Sequence, residues 1–162
     1  MATAPSIKQT LYYFKDRRLL TIFCFGIASG FPWVMTGSAM SGWLKDEGLS
    51  RSSIGLFGLI FVAYSINFLW SPLTDRLKVP LLTKILGQRR SWIACTQIII
   101  IFATWQLSNL QAVNQLHLMA LFGLVIAVSG ATQDIAIDAY RIDSLANEDN
   151  NYMAAGSAMA TA

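Results

Sequence analysis

The chain has 162 residues, of which 54% are apolar and 13% charged, with a formal net charge of +3 and a mean hydropathy of +0.48. A soluble domain carries about 25% charged residues, so this chain has roughly half the usual supply. That excludes an ordinary soluble domain and a disordered tail, and it points to an all-α polytopic membrane protein.

Residues 1–18 read as a polar tail carrying Lys8, Lys15, Arg17 and Arg18. An uncharged run from Leu19 to Leu44 follows, and it predicts a first span over about 19–43. A span needs about 20 apolar residues to cross a hydrocarbon core of about 30 Å. The run exceeds the 7–15 residues of a signal-peptide core, so an uncleaved helix is expected. Gly26 and Gly30, like Gly37 and Ser41, stand four apart and let a neighbouring backbone come close. Pro32 removes a backbone donor and predicts a kink.

The second span is expected over about 53–74, with Tyr64, Ser65 and Asn67 placing polar atoms inside it. It ends at Ser71-Pro-Leu-Thr-Asp75-Arg76, and a basic loop runs on through Lys78, Lys84, Arg89 and Arg90. The third span is expected over 91–110 and the fourth over 116–140. These four spans and their loops occupy 19–150. Residues 151–162 read as the start of a fifth helix too short to cross, so the chain is expected to end inside a helix.

Lys and Arg set the orientation. Four lie in the tail, five in the 75–90 loop, and Arg141 follows the fourth span; Lys45 and Arg51 are left for the other side. Cytoplasmic loops carry the excess, so the tail and the 75–90 loop are expected in the cytoplasm. The basic residues flank apolar spans and make no contiguous patch, so nucleic acid is not expected as a partner. Cys24 and Cys95 sit singly in different spans, which gives neither a disulfide framework nor a zinc site. His117 has no second ligand-type neighbour, and no metal or cofactor is expected.

The fourth span carries the chemistry. At 100° per residue, Ala120, Gly123, Ala127, Gly130, Ala131, Asp134, Asp138 and Arg141 share one arc, and Leu121, Leu124, Val125, Val128 and Ile135 face the other way. A small-plus-charged stripe suits a cavity wall better than lipid. At 1.5 Å per residue, Asp134 lies about 27 Å along the helix from Leu116, in the inner leaflet. A carboxylate there is costly unless paired, hydrated or protonated. Asp138 and Arg141 can pair at i, i+3, whereas Asp134 has no such partner close by in the sequence. Asp134 and Asp138 are therefore candidates for proton coupling, or else members of a static charge network closing the bundle. Asp75, Arg76, Arg89 and Arg90, with Arg141, read as a cytoplasmic latch, or more plainly as topology-setting charges. Tyr64, Asn67 and Gln133 are candidates for a substrate cavity.

An Asp75-Arg76…Gly87…Arg89-Arg90 loop between the second and third spans resembles that of the major facilitator superfamily. Phe25-Gly-Ile-Ala-Ser-Gly-Phe-Pro32, Phe68-Leu-Trp-Ser-Pro-Leu73, Gly87-Gln-Arg-Arg-Ser-Trp92 and Ala131-Thr-Gln-Asp-Ile-Ala-Ile-Asp-Ala-Tyr-Arg141 look more closely like the AmpG-type muropeptide permeases. The last motif is shared in looser form with acetyl-CoA transporters. The resemblance implies the N-terminal part of a proton-driven inner-membrane carrier of twelve or more spans. Such carriers import anhydromuropeptides for cell-wall recycling. It singles out Asp134, Asp138, Arg141, Asp75 and Arg76. Asn67 stands where those permeases carry a lysine, which leaves open a sister carrier for another anion such as acetyl-CoA. Only four spans and the start of a fifth are expected, part of one cavity wall with the second bundle absent, so the chain is expected not to transport alone; a non-transporting four-helix remnant is the other reading. No enzymatic activity is expected. Asp134, Asp138 and Asp143 lack the second acidic cluster that a magnesium diphosphate site needs, and an aspartyl protease needs its two acids on different helices.

Overall fold

The computed structural model describes residues 15–111, 114–148 and 150–160. Lys8 of the expected tail and the last two residues of the expected fifth helix lie outside them. The described residues are helical, with no strand among them.

Helix α1 runs from Arg17 to Asp46. A short segmented stretch follows: α2 (Arg51–Phe57), a 3₁₀ turn (Gly58–Phe61), α3 (Val62–Ser65), a second 3₁₀ turn (Asn67–Leu69) and α4 (Ser71–Arg76). Then come α5 (Leu82–Leu86), α6 (Gln88–Ser108), α7 (Leu116–Leu145) and α8 (Asn150–Ala160). Three of these, α1, α6 and α7, are long and apolar enough to cross a membrane. The stretch expected as one span over 53–74 is built of short helical segments of changing type rather than one continuous helix. Ile66 (φ −106°, ψ 8°) and Trp70 (φ −107°, ψ 2°) leave helical geometry, and Pro72 at the start of α4 fits where a helix opens.

Pro32 is absorbed rather than expressed as a simple break. Just beyond it, Met35–Ala39 widens into a π-helical turn, and the Met40 N–H reaches back five residues to the Met35 carbonyl. The buried Thr36 hydroxyl donates to the Pro32 carbonyl at 2.7 Å. The chain divides into two compact units, and α1 and α7 each run through both.

One unit comprises Ser29–Ala136. Its core gathers Met40, Leu44, Phe57, Ile60, Ala63, Ala103, Leu107, Met119, Ile126 and Ala127. Helix α6 buries Ile93, Thr96, Ile100, Ala103 and Leu107, while Ile98, Ile101, Phe102 and Trp105 stand exposed. That outward apolar face suits lipid. Gly87 (φ 81°, ψ 170°) separates α5 from α6 in a region of backbone space open in practice only to glycine.

The other unit joins residues up to Ala28 with those from Ile137 onward. Its core is Leu19, Ile22, Leu145 and Met159, flanked by Phe23, Tyr140, Tyr152 and Met153. The Phe25 and Tyr140 rings meet edge to face at 5.5 Å. A Cβ at Gly26 would stand 2.7 Å from the Met159 carbonyl oxygen, so α8 rests directly on bare backbone of α1. Polar groups tie the same elements together. Asp16 accepts from the Arg18 N–H at 2.7 Å and from the Tyr152 hydroxyl at 2.8 Å, and Arg18 pairs with Glu148 at 2.8 Å. Partial burial pushes the Asp16 carboxyl up, but the donors from Arg18 and Tyr152 outweigh it and hold the group below the usual carboxylate value.

Candidate functional site

The site within the Ser29–Ala136 unit forms where α7 turns its small face inward. Gly123, Ala127, Gly130 and Ala131 are buried, whereas Leu121, Leu124 and Val128 on the other face are exposed. The expected arc is thus buried from Gly123 to Ala131, half-buried at Asp134 and exposed at Asp138. Its smallness has a use at Gly130. A Cβ there would lie 2.4 Å from the Tyr64 hydroxyl and 2.8 Å from Pro32 Cβ.

Asp134 lies half-buried one turn further on, and Ser29 of α1 donates to its Oδ1 at 2.7 Å. No cation stands within one turn of Asp134 on its own helix, and the bond comes instead from another helix, 105 residues away in sequence. Beside it, Gln133 is fully buried, and both its amide oxygen and its amide nitrogen lack a hydrogen-bond partner in the structure. The Tyr64 hydroxyl is buried and unpartnered as well. Such groups are costly to leave unmatched, so they mark a place where a polar ligand or water has bonds to make.

The segmented stretch supplies the facing wall. Tyr64 packs edge to face on Trp33 at 5.3 Å, and Trp33 packs on Phe61 at 4.8 Å. Trp70 Nε1 donates to Thr132 Oγ1 at 3.1 Å, and the Thr132 hydroxyl donates to the Val128 carbonyl at 2.7 Å. Asn67 is half-buried in the second 3₁₀ turn. The Ser29 and Trp70 contacts are not specified by the sequence pattern, although both residues stand within the motifs Phe25–Pro32 and Phe68–Leu73. Their signal is a hydroxyl and an indole N–H, each set in an apolar run.

The charges of the 75–90 loop meet one another. Arg89 Nη1 donates to Asp75 Oδ1, while Gln88 Nε2 donates to the Asp75 carbonyl and, at 3.2 Å, to that of Thr74. Trp92 Nε1 adds a bond to the Leu77 carbonyl at 3.0 Å. The end of α4 is thereby fastened to the start of α6. Arg76 and Arg90 are exposed. In the other unit, Arg141 pairs with Asp138 at 3.2 Å across i, i+3, with the Asp138 side chain 62% exposed. A pair that open to solvent contributes little, in the range of 0–1 kcal/mol. Among the described residues no cluster of three or more His, Cys, Asp or Glu comes together to hold a metal.

A family model described as acetyl-coenzyme A transporter 1 matches residues 19–115. The relatives include an anhydromuropeptide permease of Escherichia coli, 37% identical over 147 residues, which are 91% of this chain and 29% of the permease. A Rickettsia bellii protein named "Putative transporter AmpG 1" is 39% identical over 141 residues, covering 87% of this chain and 34% of its own. A Rickettsia felis protein named "Putative transporter AmpG 4" is 37% identical over 137 residues, or 83% and 32%. The chain thus spans about a third of the length of the curated relatives it matches. No solved structure matches it.

Proposed function

The chain belongs to the acetyl-coenzyme A transporter 1 family, it is similar to anhydromuropeptide permeases, and from that premise we propose that it is the N-terminal part of a proton-coupled muropeptide importer. The substrate on this reading is an N-acetylglucosamine–anhydro-N-acetylmuramyl peptide, brought across the inner membrane for cell-wall recycling. The segment 51–76 counts as the second of four spans, α8 as the beginning of a fifth, and the tail faces the cytoplasm. The rest of the carrier supplies the second bundle. Catalysis of a covalent reaction has no part in it.

The observation that carries the proposal is the Ser29–Asp134 bond on the small-residue face of α7. An ionised carboxylate only accepts hydrogen bonds, whereas a protonated one also donates. Protonation of Asp134 therefore adds a donor that calls for an acceptor beside it, and a membrane helix that changes its bonding with a proton is what symport needs. Gln133 on α7, with Tyr64 and Asn67 on the segmented stretch whose irregular backbone suits a substrate site, are the groups for the sugar and peptide. Asp75 with Arg89, Arg76 and Arg90, and Asp138 with Arg141, act at the cytoplasmic end as pairs that break and reform, Asp138 standing second to Asp134 as a coupling residue.

Uptake of labelled anhydromuropeptide by vesicles holding the full-length protein tests this. Asp134→Asn is expected to abolish gradient-driven uptake while insertion into the membrane is unchanged. Uptake that persists in that variant and still collapses with an uncoupler would remove Asp134 from the coupling role. A second reading, a carrier for another anion such as acetyl-CoA, draws on Asn67, which puts an amide where a muropeptide permease carries a cation. Competition by CoA esters with none by muropeptide would favour it.

A further inference from the structure

Between α4 and α6 the chain makes a short excursion, residues 77–87, that the transport chemistry leaves unused. Its side chains are placed in an unusual way. Ile85 is 78% exposed and Leu81 73%, the highest values among the large hydrophobic residues described, and Leu77 and Leu86 are exposed beside them. Leu81 is held in a γ-turn (φ 69°, ψ −54°), closed by a bond from the Leu82 N–H to the Pro80 carbonyl at 2.8 Å. That is the only non-glycine residue with positive φ among those described. A leucine is costly in this conformation, and here it aims a large apolar side chain away from the fold.

Cations alternate with these apolar groups. Arg76, Lys78 and Lys84 are exposed. The sequence contains no Asp or Glu from Arg76 to Gln133, and Asp75, at the border, is engaged by Arg89. The excursion itself therefore carries only positive side-chain charge. Both its flanks belong to segments read as spans, which keeps the excursion at the membrane surface. Large apolar side chains interleaved with long cations, on a segment held at that surface, match an anionic phospholipid leaflet better than water or a protein partner. The aliphatic side chains of such a segment sit at the acyl boundary while lysine stems reach back to phosphate.

We propose that residues 77–86 form an interfacial foot, with Leu81 and Ile85 dipping below the headgroups of an anionic leaflet and Lys78 and Lys84 engaging lipid phosphates. The foot gives the segment between the second and third spans a lipid-dependent position, separate from the substrate path.

The test uses the full-length protein with Cys24→Ala, Cys95→Ala and every other native cysteine replaced by alanine, spin-labelled at Ile85→Cys or, as an independent second site, at Leu81→Cys. Each is placed in nanodiscs of phosphatidylcholine alone and of phosphatidylcholine with phosphatidylglycerol. Power saturation then compares access of oxygen, which partitions into lipid, with that of a water-soluble nickel chelate. The expected result is preferential oxygen access at both sites, deepening in the anionic discs, with the deepening lost on Lys78→Gln/Lys84→Gln. Preferential nickel access would place the segment in water and overturn the proposal. Labels shielded from both reagents would mean that protein covers it, which also overturns it. Equal depth in both lipids would remove the anionic lipid as partner. None of these readings depends on uptake, so the transport proposal stands or falls separately.

Discussion

The segment 51–76 and helix α6 have similar length and similar appetite for an apolar medium, yet they are built in opposite ways. Helix α6 runs unbroken from Gln88 to Ser108 and keeps its backbone groups within its own ladder. The segment 51–76 changes helical type several times and breaks at Ile66 and Trp70. In a membrane, irregular backbone is tolerated only where protein buries it or a water-filled cavity receives it. The difference separates a face suited to lipid from a wall that carries polar groups. The regular helix turns Ile98, Ile101, Phe102 and Trp105 outward, and the irregular one turns Tyr64 and Trp70 toward the polar stretch of α7.

The comparison can be broken by substitutions on each side. Gly130→Leu should do the most damage, because its side chain would drive into the Tyr64 hydroxyl and Pro32; overpacking costs about 1–3 kcal/mol and more against backbone-fixed neighbours. A large drop in the thermal transition of the detergent-solubilised full-length protein would register it, and an unchanged transition would show that the wall is soft. Gln133→Leu removes two unmatched buried polar atoms, so stability is expected to hold or rise by about 1–3 kcal/mol while uptake falls. Lost stability would mean that the amide has a partner in the folded carrier. Trp70→Phe removes the bond to Thr132 and should cost about 1 kcal/mol. Ile101→Ala on the exposed face of α6 should stay within about 0.5 kcal/mol in the same melt. If it costs as much as Gly130→Leu, the two sides are not different in kind.

A pH series offers a reference from the other unit. The Asp16 carboxyl is held below its ordinary value of 3.8, so its contribution is complete above that pH and is lost only as pH falls through the lowered value. Between pH 5 and 8, Asp16→Asn and the parent should therefore differ by a constant offset, and their melting curves should converge only in strong acid. Convergence near pH 6 would mean that another group carries the effect.

Hydropathy made α1, α6 and α7 legible, because a long uncharged run with few breakers has one stable solution in lipid. The same arithmetic could not show that the stretch expected as a span over 53–74 is divided into short segments, since an average over a window is blind to the order of residues within it. Gly55, Gly58, Ser65, Asn67 and Ser71-Pro72 carried the information as a spacing of weak helix formers. At the site, the Asp138–Arg141 spacing could be read directly because both partners lie on one helix. The partner of Asp134 could not, because Ser29 is one hydroxyl among many and only the packing of α1 on α7 selects it.

The bare backbone at Gly26 also sets a schedule for assembly. The groove it offers is filled by the carbonyls of Met159 and Ala160, which leave the ribosome long after α1 has emerged. At roughly 5–20 residues per second, the wait is on the order of 7–27 s. During that interval α1 sits in the bilayer with a small-residue notch facing lipid or whatever helix is at hand. A factor that shields nascent helices would have its use here, and a variant that slows translation between Gly26 and Met159 should lengthen the window in which α1 can pair with the wrong neighbour.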